Sequence, residues 1–329
     1  MNSGAGPSHC IHSSTHCSPA TDSGILIVDK PEGLTSFAVV AKVKKSLGLK
    51  KAGHCGTLDP FATGVLLICV NQATRIADQL SLQDKHYRFS MRLGVETDTL
   101  DRTGQFVRTY DGPAICESNL LSAASGFVGI YRQRVPRYAA VKVQGKRLYE
   151  LARKGVEVEP PSRDITIHHL KLMSYVWPEA VMEVRCSKGT YIRQLAADIG
   201  QELNCGAYVS ELRRLASGPF DISRALSFEQ FRLTSEDNCW RERLIPMNEA
   251  LDHLPVIVIE DGQILQGLSN GYLDPAWAKE QREQLSQEAG PVRLLAGADR
   301  QLTALWWPEC RDDNEKRRCL RVFKGKGIM

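Results

Sequence analysis

No long apolar run occurs in this 329-residue chain; the longest, Val65-Leu66-Leu67-Ile68-Cys69-Val70, is far short of the roughly 20 residues a membrane span needs. The first 23 residues contain no Lys or Arg and no apolar core, which fits neither a secretory signal nor an Arg-rich transit peptide. Neither sign of charge dominates: the formal net charge is +4 and the pI about 8.5, so overall charge gives only a weak pull toward an anionic partner. There is no internal repeat, which excludes a solenoid. Strands and helices do not alternate as regular βαβ units, which excludes a doubly wound fold and leaves α+β as the class.

What is present is ordinary in bulk. Apolar residues make up 43% and charged residues 24%, the usage of a globular protein long enough for two cores. Ten cysteines are many, but a chain of this length needs no disulfide scaffold. Cys69 lies in the apolar run and Cys186 alternates with apolar partners, so both read as small buried hydrophobes. A reducing, cytoplasmic setting follows. Cys10, His12, His16 and Cys17 are metal-binding types, but their spacing matches no zinc finger. Residues 1–23 are read as a disordered tail.

Order begins with a strand at Gly24–Val28. Thr35 or Ser36 caps a helix to about Ser46, with Phe37, Val40, Ala41 and Lys44 marking its phases and Gly48 ending it. A buried strand follows at Val65–Val70. Residues 87–93 alternate, with Tyr87, Phe89, Met91 and Leu93 on one face. Another alternating strand, Val181–Ser187, leads to a helix carrying Ile192, Leu195, Ala196, Ile199 and Leu203. Near Leu254-Pro255 the pattern changes to short β-like runs with a basic end at Lys316, Arg317, Arg318, Arg321, Lys324 and Lys326. The expected organisation is a core at 24–252 and a small β-rich domain at 253–329.

Three segments carry chemistry. The loop Gly53–Gly64 has three glycines, small residues and a single carboxylate, Asp59; taken alone it is an ordinary turn. With Thr190 as helix cap, Arg193 falls in the first turn, where a cation needs a compensating anion such as Asp59 or a phosphate. Lys188 and the amides of Gly189 and Thr190 add to that anion-binding helix start. From Arg132 to Lys154 there are eight basic residues (Arg132, Arg134, Arg137, Lys142, Lys146, Arg147, Arg153, Lys154) against one acid, Glu150, with Tyr131, Tyr138 and Tyr149 interleaved or adjacent. Cations mixed with stacking aromatics suit RNA.

From about Gly24 onward the chain resembles the TruB family of tRNA pseudouridine synthases. The resemblance is carried by Asp29-Lys30-Pro31 with Gly33 and Ser36, and by Ala52-Gly53-His54-Cys55-Gly56-Thr57-Leu58-Asp59-Pro60 with Ala62-Thr63-Gly64. It continues in Asp84-Lys85-His86-Tyr87-Arg88 with Leu93-Gly94 and Thr97-Asp98-Thr99, in Cys186–Arg193, and in Leu212-Arg213-Arg214-Leu215. Two positions depart from the usual pattern: Cys55 stands where Thr is usual, and Arg137 where a small or uncharged residue is commoner.

The resemblance implies a mixed β-sheet core, an RNA-gripping insertion at about 125–155 and a C-terminal PUA-like domain. It implies isomerisation of a uridine in the T-loop of tRNA, at position 55, with no cofactor or metal. The enzyme is expected to act as a monomer on the T-arm, without an obligate protein partner or a membrane. Asp59 is the expected catalytic carboxylate, attacking C1′ or removing a sugar proton. Arg193 favours its ionised form and orients it. Tyr87 is expected to stack on the flipped base and help remove the C5 proton. His54 holds the disrupted loop or only satisfies a hydrogen bond. Leu212 walls the pocket, Asp101 bonds the base or shapes a turn, and Tyr191 is a substrate contact. Lys142, Lys146 and Arg147 grip phosphates. A guide-RNA-dependent uridine isomerase and a tRNA-folding chaperone are the rival readings. A glycosidase fits less well, because it needs two cooperating carboxylates.

Overall fold

The computed structural model describes residues 23–143, 145–231, 239–285, 290–297, 300–310 and 319–323. The N-terminal Cys/His group and the basic end apart from Arg321 lie outside them. Two compact units result, Ser23–Leu254 and Pro255–Met329.

The first unit is built on one mixed sheet. Its strands are β1 (Gly24–Lys30), β2 (Ala52–Cys55), β3 (Thr63–Val70), β4 (Lys85–Leu93), β7 (Gly129–Arg134), β10 (Ser162–Val176), β11 (Glu179–Cys186), β12 (Ala207–Ser217), and the short β13 (Phe220–Asp221), β14 (Leu226–Ser227) and β15 (Ile245–Pro246). The order is β14-β1-β3-β12-β4-β11-β10-β7, with β2 also on β3, β13 on β12 and β15 on β1. β1–β14 and β3–β12 are parallel, the other pairs antiparallel. Two small hairpins stand apart: β5 (Val95–Thr97) with β6 (Phe106–Thr109), and β8 (Lys142–Val143) with β9 (Lys146–Arg147).

Strand β3 is apolar from Val65 to Val70 because both its faces are covered there. On one side Leu66, Ile68 and Val70 pack with Leu26 and Val28 against helix α1 (Ser36–Ser46). On the other side of the sheet, Tyr87, Phe89, Met91 and Leu93 of β4 meet a core that includes Ile192, Leu195, Ala196 and Ile199. Those four residues belong to the helix Ile192–Glu202, here α2. The alternating burial along β4 is the pattern of a strand with one apolar face.

Local signals set the helix ends with two differences from expectation. Thr35 caps α1, its hydroxyl accepting from the Ala38 N–H at 3.0 Å. The buried stripe of α1 is Val39, Val40 and Val43, while Phe37 is 76% exposed and Ala41 faces solvent. The phase is rotated from the expected one because the β-branched valines give the apolar stripe. The cap of α2 is Tyr191, not Thr190, and it makes no side-chain capping bond; the Thr190 hydroxyl instead donates to the Ser187 carbonyl at 2.9 Å.

β7 is an edge strand of the main sheet, so the segment standing off the sheet begins after Arg134. That segment has its own cluster, Val135, Ala139 and Leu148, with Tyr191 packed against it.

The second unit has a four-stranded sheet, β16 (Val256–Ile259), β17 (Val292–Ala296), β18 (Gln301–Trp306) and β19 (Leu320–Val322). Two helices, Gly262–Ser269 and Pro275–Gln284, pack on it through Leu268 and Ala278. Only β runs were expected there. The helices start at side-chain caps from Asp261 and Asp274.

Candidate active site

The loop between β2 and β3 is held from below before it presents anything. The Ser36 hydroxyl accepts from the Leu58 N–H at 2.9 Å and donates to the Leu58 carbonyl at 3.1 Å. Lys30 is fully buried and its ammonium donates to the carbonyls of Pro31, Pro60 and Ala62 at 2.8, 3.2 and 2.6 Å. Burial lowers its pKa to about 8, with Asp59 the foremost group opposing that shift. The loop backbone between residues 58 and 62 is thus fastened on both sides of Asp59.

Asp59 projects into a cleft of about 360 Å³, within the size range of small-ligand sites. Tyr87, Lys85, Tyr138, Tyr191, Arg193 and Arg214 also line it. Arg193, only 4% exposed, meets Asp59 side-on: Nε lies 2.9 Å from Oδ2 and Nη2 donates to Oδ1 at 3.4 Å. The Nε contact is an ion pair without hydrogen-bond alignment. Nη1 donates to the Thr99 carbonyl at 2.8 Å and to Asp101 at 3.2 Å, and Nη2 to the Tyr138 carbonyl at 3.1 Å. The planar fork therefore spans two carboxylates and ties the insertion to the loop.

Asp59 keeps 35% of its side chain exposed, open to a ligand in the cleft. Burial of its carboxyl raises its pKa from the ordinary value; Arg193 pulls it back, Asp101 adds to the rise and Lys30 opposes it. Arg193 acts on the charge state in the expected direction, and burial, which sequence reasoning did not weigh, opposes it.

Asp101 does not line the cleft. It is buried behind Arg193, where its Oδ1 accepts from the Thr99 hydroxyl at 2.8 Å and the Thr103 N–H at 2.9 Å, and its Oδ2 from Arg193. Of the two expected roles, these bonds fit the shaping of a turn, and the same carboxylate also meets Arg193. His54 sits in β2 with its Nδ1 buried and outside the cleft lining, and burial lowers its pKa. Leu212 is a core residue 7% exposed, opposite Phe89, and does not wall the cleft. Lys188 is exposed and off the cleft.

Tyr87 is 8% exposed; burial raises its pKa and Arg214 opposes the rise. The Tyr191 backbone is pinned at both polar atoms by the Gln133 side chain, at 2.8 and 3.0 Å. The Arg163 guanidinium lies 5.5 Å from its ring centre. Lys142, Lys146 and Arg147 are exposed on the β8–β9 hairpin, whose preceding residue Val141 lines the cleft. Arg147 also donates to the Tyr149 hydroxyl at 3.1 Å.

Sequence reasoning missed the tasks of Lys30, Gln133 and the Tyr138 carbonyl, and the place of Lys85 on the cleft wall. Gln133 had a signal, since it shares a strand face with inward-pointing Tyr131; the acceptors of Lys30 are backbone carbonyls, which leave none.

Residues 44–192 match the model of the TruB family pseudouridylate synthase N-terminal domain, and residues 193–252 that of the tRNA pseudouridylate synthase B C-terminal domain. The chain belongs to the TruB family. A curated relative from Syntrophobacter fumaroxidans, named tRNA pseudouridine synthase B, is 58% identical over 92% of this chain and 98% of its own. Relatives of the same name from Geobacter sulfurreducens and Syntrophotalea carbinolica are 44% and 42% identical, over 91% and 92% of this chain and 99% of theirs. Among solved structures, a Cbf5-Nop10-Gar1 complex aligns with TM-score 0.67 at 26% identity, covering 92% of this chain and 84% of that one. An H/ACA RNP bound to a substrate RNA containing 2′-deoxyuridine aligns with TM-score 0.65 at 25% identity, with the same coverage. Within this TruB-family chain, Asp59, Tyr87, Tyr191 and Arg193 converge on one cleft, while Asp101 stands behind it and His54 and Leu212 lie outside.

Proposed function

We propose that this chain isomerises a uridine of tRNA to pseudouridine, at position 55 in the T-loop, with Asp59 as the catalytic carboxylate. The observation that carries this reading is the Asp59–Arg193 pair at the floor of an open cleft. Uridine and pseudouridine are isomers, so the reaction needs no redox partner, cofactor or metal. The N1–C1′ bond breaks, the base turns, and C5 joins C1′. The nucleotide is flipped out of its stack to reach Asp59, at a cost of a few kcal/mol.

Asp59 acts ionised, either on C1′ as a nucleophile or on a sugar proton as a base. Arg193 holds the carboxylate in position and Asp101 holds Arg193. Tyr87 faces the uracil ring and takes the C5 proton, and Tyr191 packs against the nucleotide. The β8–β9 hairpin, with Lys142, Lys146 and Arg147, closes on the RNA backbone. The C-terminal unit is read as a PUA-like RNA-binding module, and the protein as a cytoplasmic monomer. A relative 58% identical and named for tRNA favours this substrate over the guide-RNA route.

Tritium release from RNA labelled at uridine C5 tests the proposal, comparing whole tRNA with an isolated T-arm hairpin. Release from both supports it. Release from neither, or only with an added guide RNA, sinks it.

A further inference from the structure

Arg214 has no task in this scheme, yet it is only 1% exposed. A guanidinium is buried at high cost unless its donors are engaged, and here the engagement is specific. Nε donates to the Val65 carbonyl at 2.6 Å and Nη2 to the Gly56 carbonyl at 3.2 Å. These two carbonyls bracket Asp59, one on each side along the chain. In the β12–β4 pair Arg214 is directly opposite Tyr87, both residues line the cleft, and the guanidinium charge opposes the rise that burial gives the Tyr87 pKa.

Gly56, whose carbonyl takes one of the Arg214 bonds, has a φ of +85°, a left-handed conformation that favours glycine. The hydrogen-bond acceptors of Arg214 among the described residues are the Val65 and Gly56 carbonyls; neither is a carboxylate that would cancel its charge. The uncancelled cation therefore stands beside Tyr87, inside the cleft.

We propose that Arg214 is a positioning residue for the last step of isomerisation, holding the Tyr87 oxygen at uracil C5 and stabilising its negative form. The proposal rests on the reading of Tyr87 given above. At that step C5 carries both its hydrogen and the ribose. The C5–H bond breaks and its electron pair forms the C5–C6 double bond. The C6–N1 π pair moves to N1, which takes a proton from water. The C5 proton passes to the Tyr87 oxygen, which has already lost its own proton to water in the open cleft. Burial disfavours that ionised oxygen, and a fixed neighbouring cation offsets the penalty.

The test uses the full chain and T-arm RNA carrying hydrogen or deuterium at C5 of the target uridine. Arg214→Lys is expected to lower the single-turnover rate by about 10²-fold, with RNA affinity within about twofold. The hydrogen isotope effect should become larger than in the wild type, because C5 proton removal becomes limiting. In a Tyr87→Phe background, Arg214→Lys should cost less than about threefold more, because two residues acting through one another are not additive. An equal rate loss with no larger isotope effect, or full additivity, would mean that Arg214 acts through the loop, and overturns the proposal. Loss in Tyr87→Phe with none in Arg214→Lys overturns it alone. A wild-type rate in Tyr87→Phe removes the parent reading and the proposal with it. Arg214→Gln serves if the lysine variant does not fold by circular dichroism; failure of both makes Arg214 a structural fastener and ends the proposal.

Discussion

Replacing Arg193 by lysine keeps one positive charge and removes the fork. The native guanidinium reaches Asp59, Asp101, the Thr99 carbonyl and the Tyr138 carbonyl with three separate nitrogens. One ammonium nitrogen cannot occupy those positions together. Asp101 and Thr99, deeper in the fold, are the partners it keeps, and Asp59 is the one it loses. A hydrogen bond to a charged group contributes about 1.5–3 kcal/mol, so the rate should fall roughly 10- to 150-fold. The loss should also depend on pH. Burial already raises the Asp59 pKa and Arg193 opposes that rise. Weakening Arg193 moves the carboxyl further up, so the ionised form is lost at a higher pH than in the wild type. Single-turnover tritium release measured from pH 5 to 9 should show the largest deficit at the acid end. A near-wild-type rate with an unmoved acid limb would refute the reasoning and leave Arg193 as a packing residue.

Asp101→Asn should reduce turnover with little change in RNA affinity, because Asp101 touches Arg193 and not the cleft; a loss confined to binding would contradict that. Lys142, Lys146 and Arg147 all changed to Ala should flatten the log–log salt dependence of RNA affinity by about 2 to 3 units, read by filter binding; an unchanged slope would make the hairpin ordinary surface. Burial raises the Asp198 pKa to about 7, so the folded state holds a proton there that the unfolded state releases near the ordinary value of 3.8. Its contribution to stability is therefore full below that lower value and is lost as pH rises toward 7. Asp198→Asn should flatten the fall in Tm across that window, and an unaltered Tm profile would show that Asp198 is not so perturbed.

The meeting of Asp59 and Arg193 was legible because a lone carboxylate in a glycine loop and a cation in a first helical turn each lack a partner nearby in sequence. Their common neighbour Asp101 was not, because its role depends on a turn folded behind Arg193 across 92 residues. The β4 alternation was read directly, since a strand with one apolar face displays its period. In α1 the phase was misread: Phe37 counts as apolar, but the valines take the buried stripe and the aromatic is left exposed. The helices of the second unit had readable starts, Asp261 before Gly262 and Asp274 before Pro275. The short β runs around them drew the assignment away.

The central claim is that Asp59 performs the chemistry, and Asp59→Asn tests it most directly by tritium release from C5-labelled T-arm RNA alongside RNA affinity. The substitution is nearly isosteric and phosphate contacts dominate binding, so affinity should stay within about an order of magnitude. Release should fall to background. Release near the wild-type rate would contradict the account, because no other carboxylate among the described residues lines this cleft.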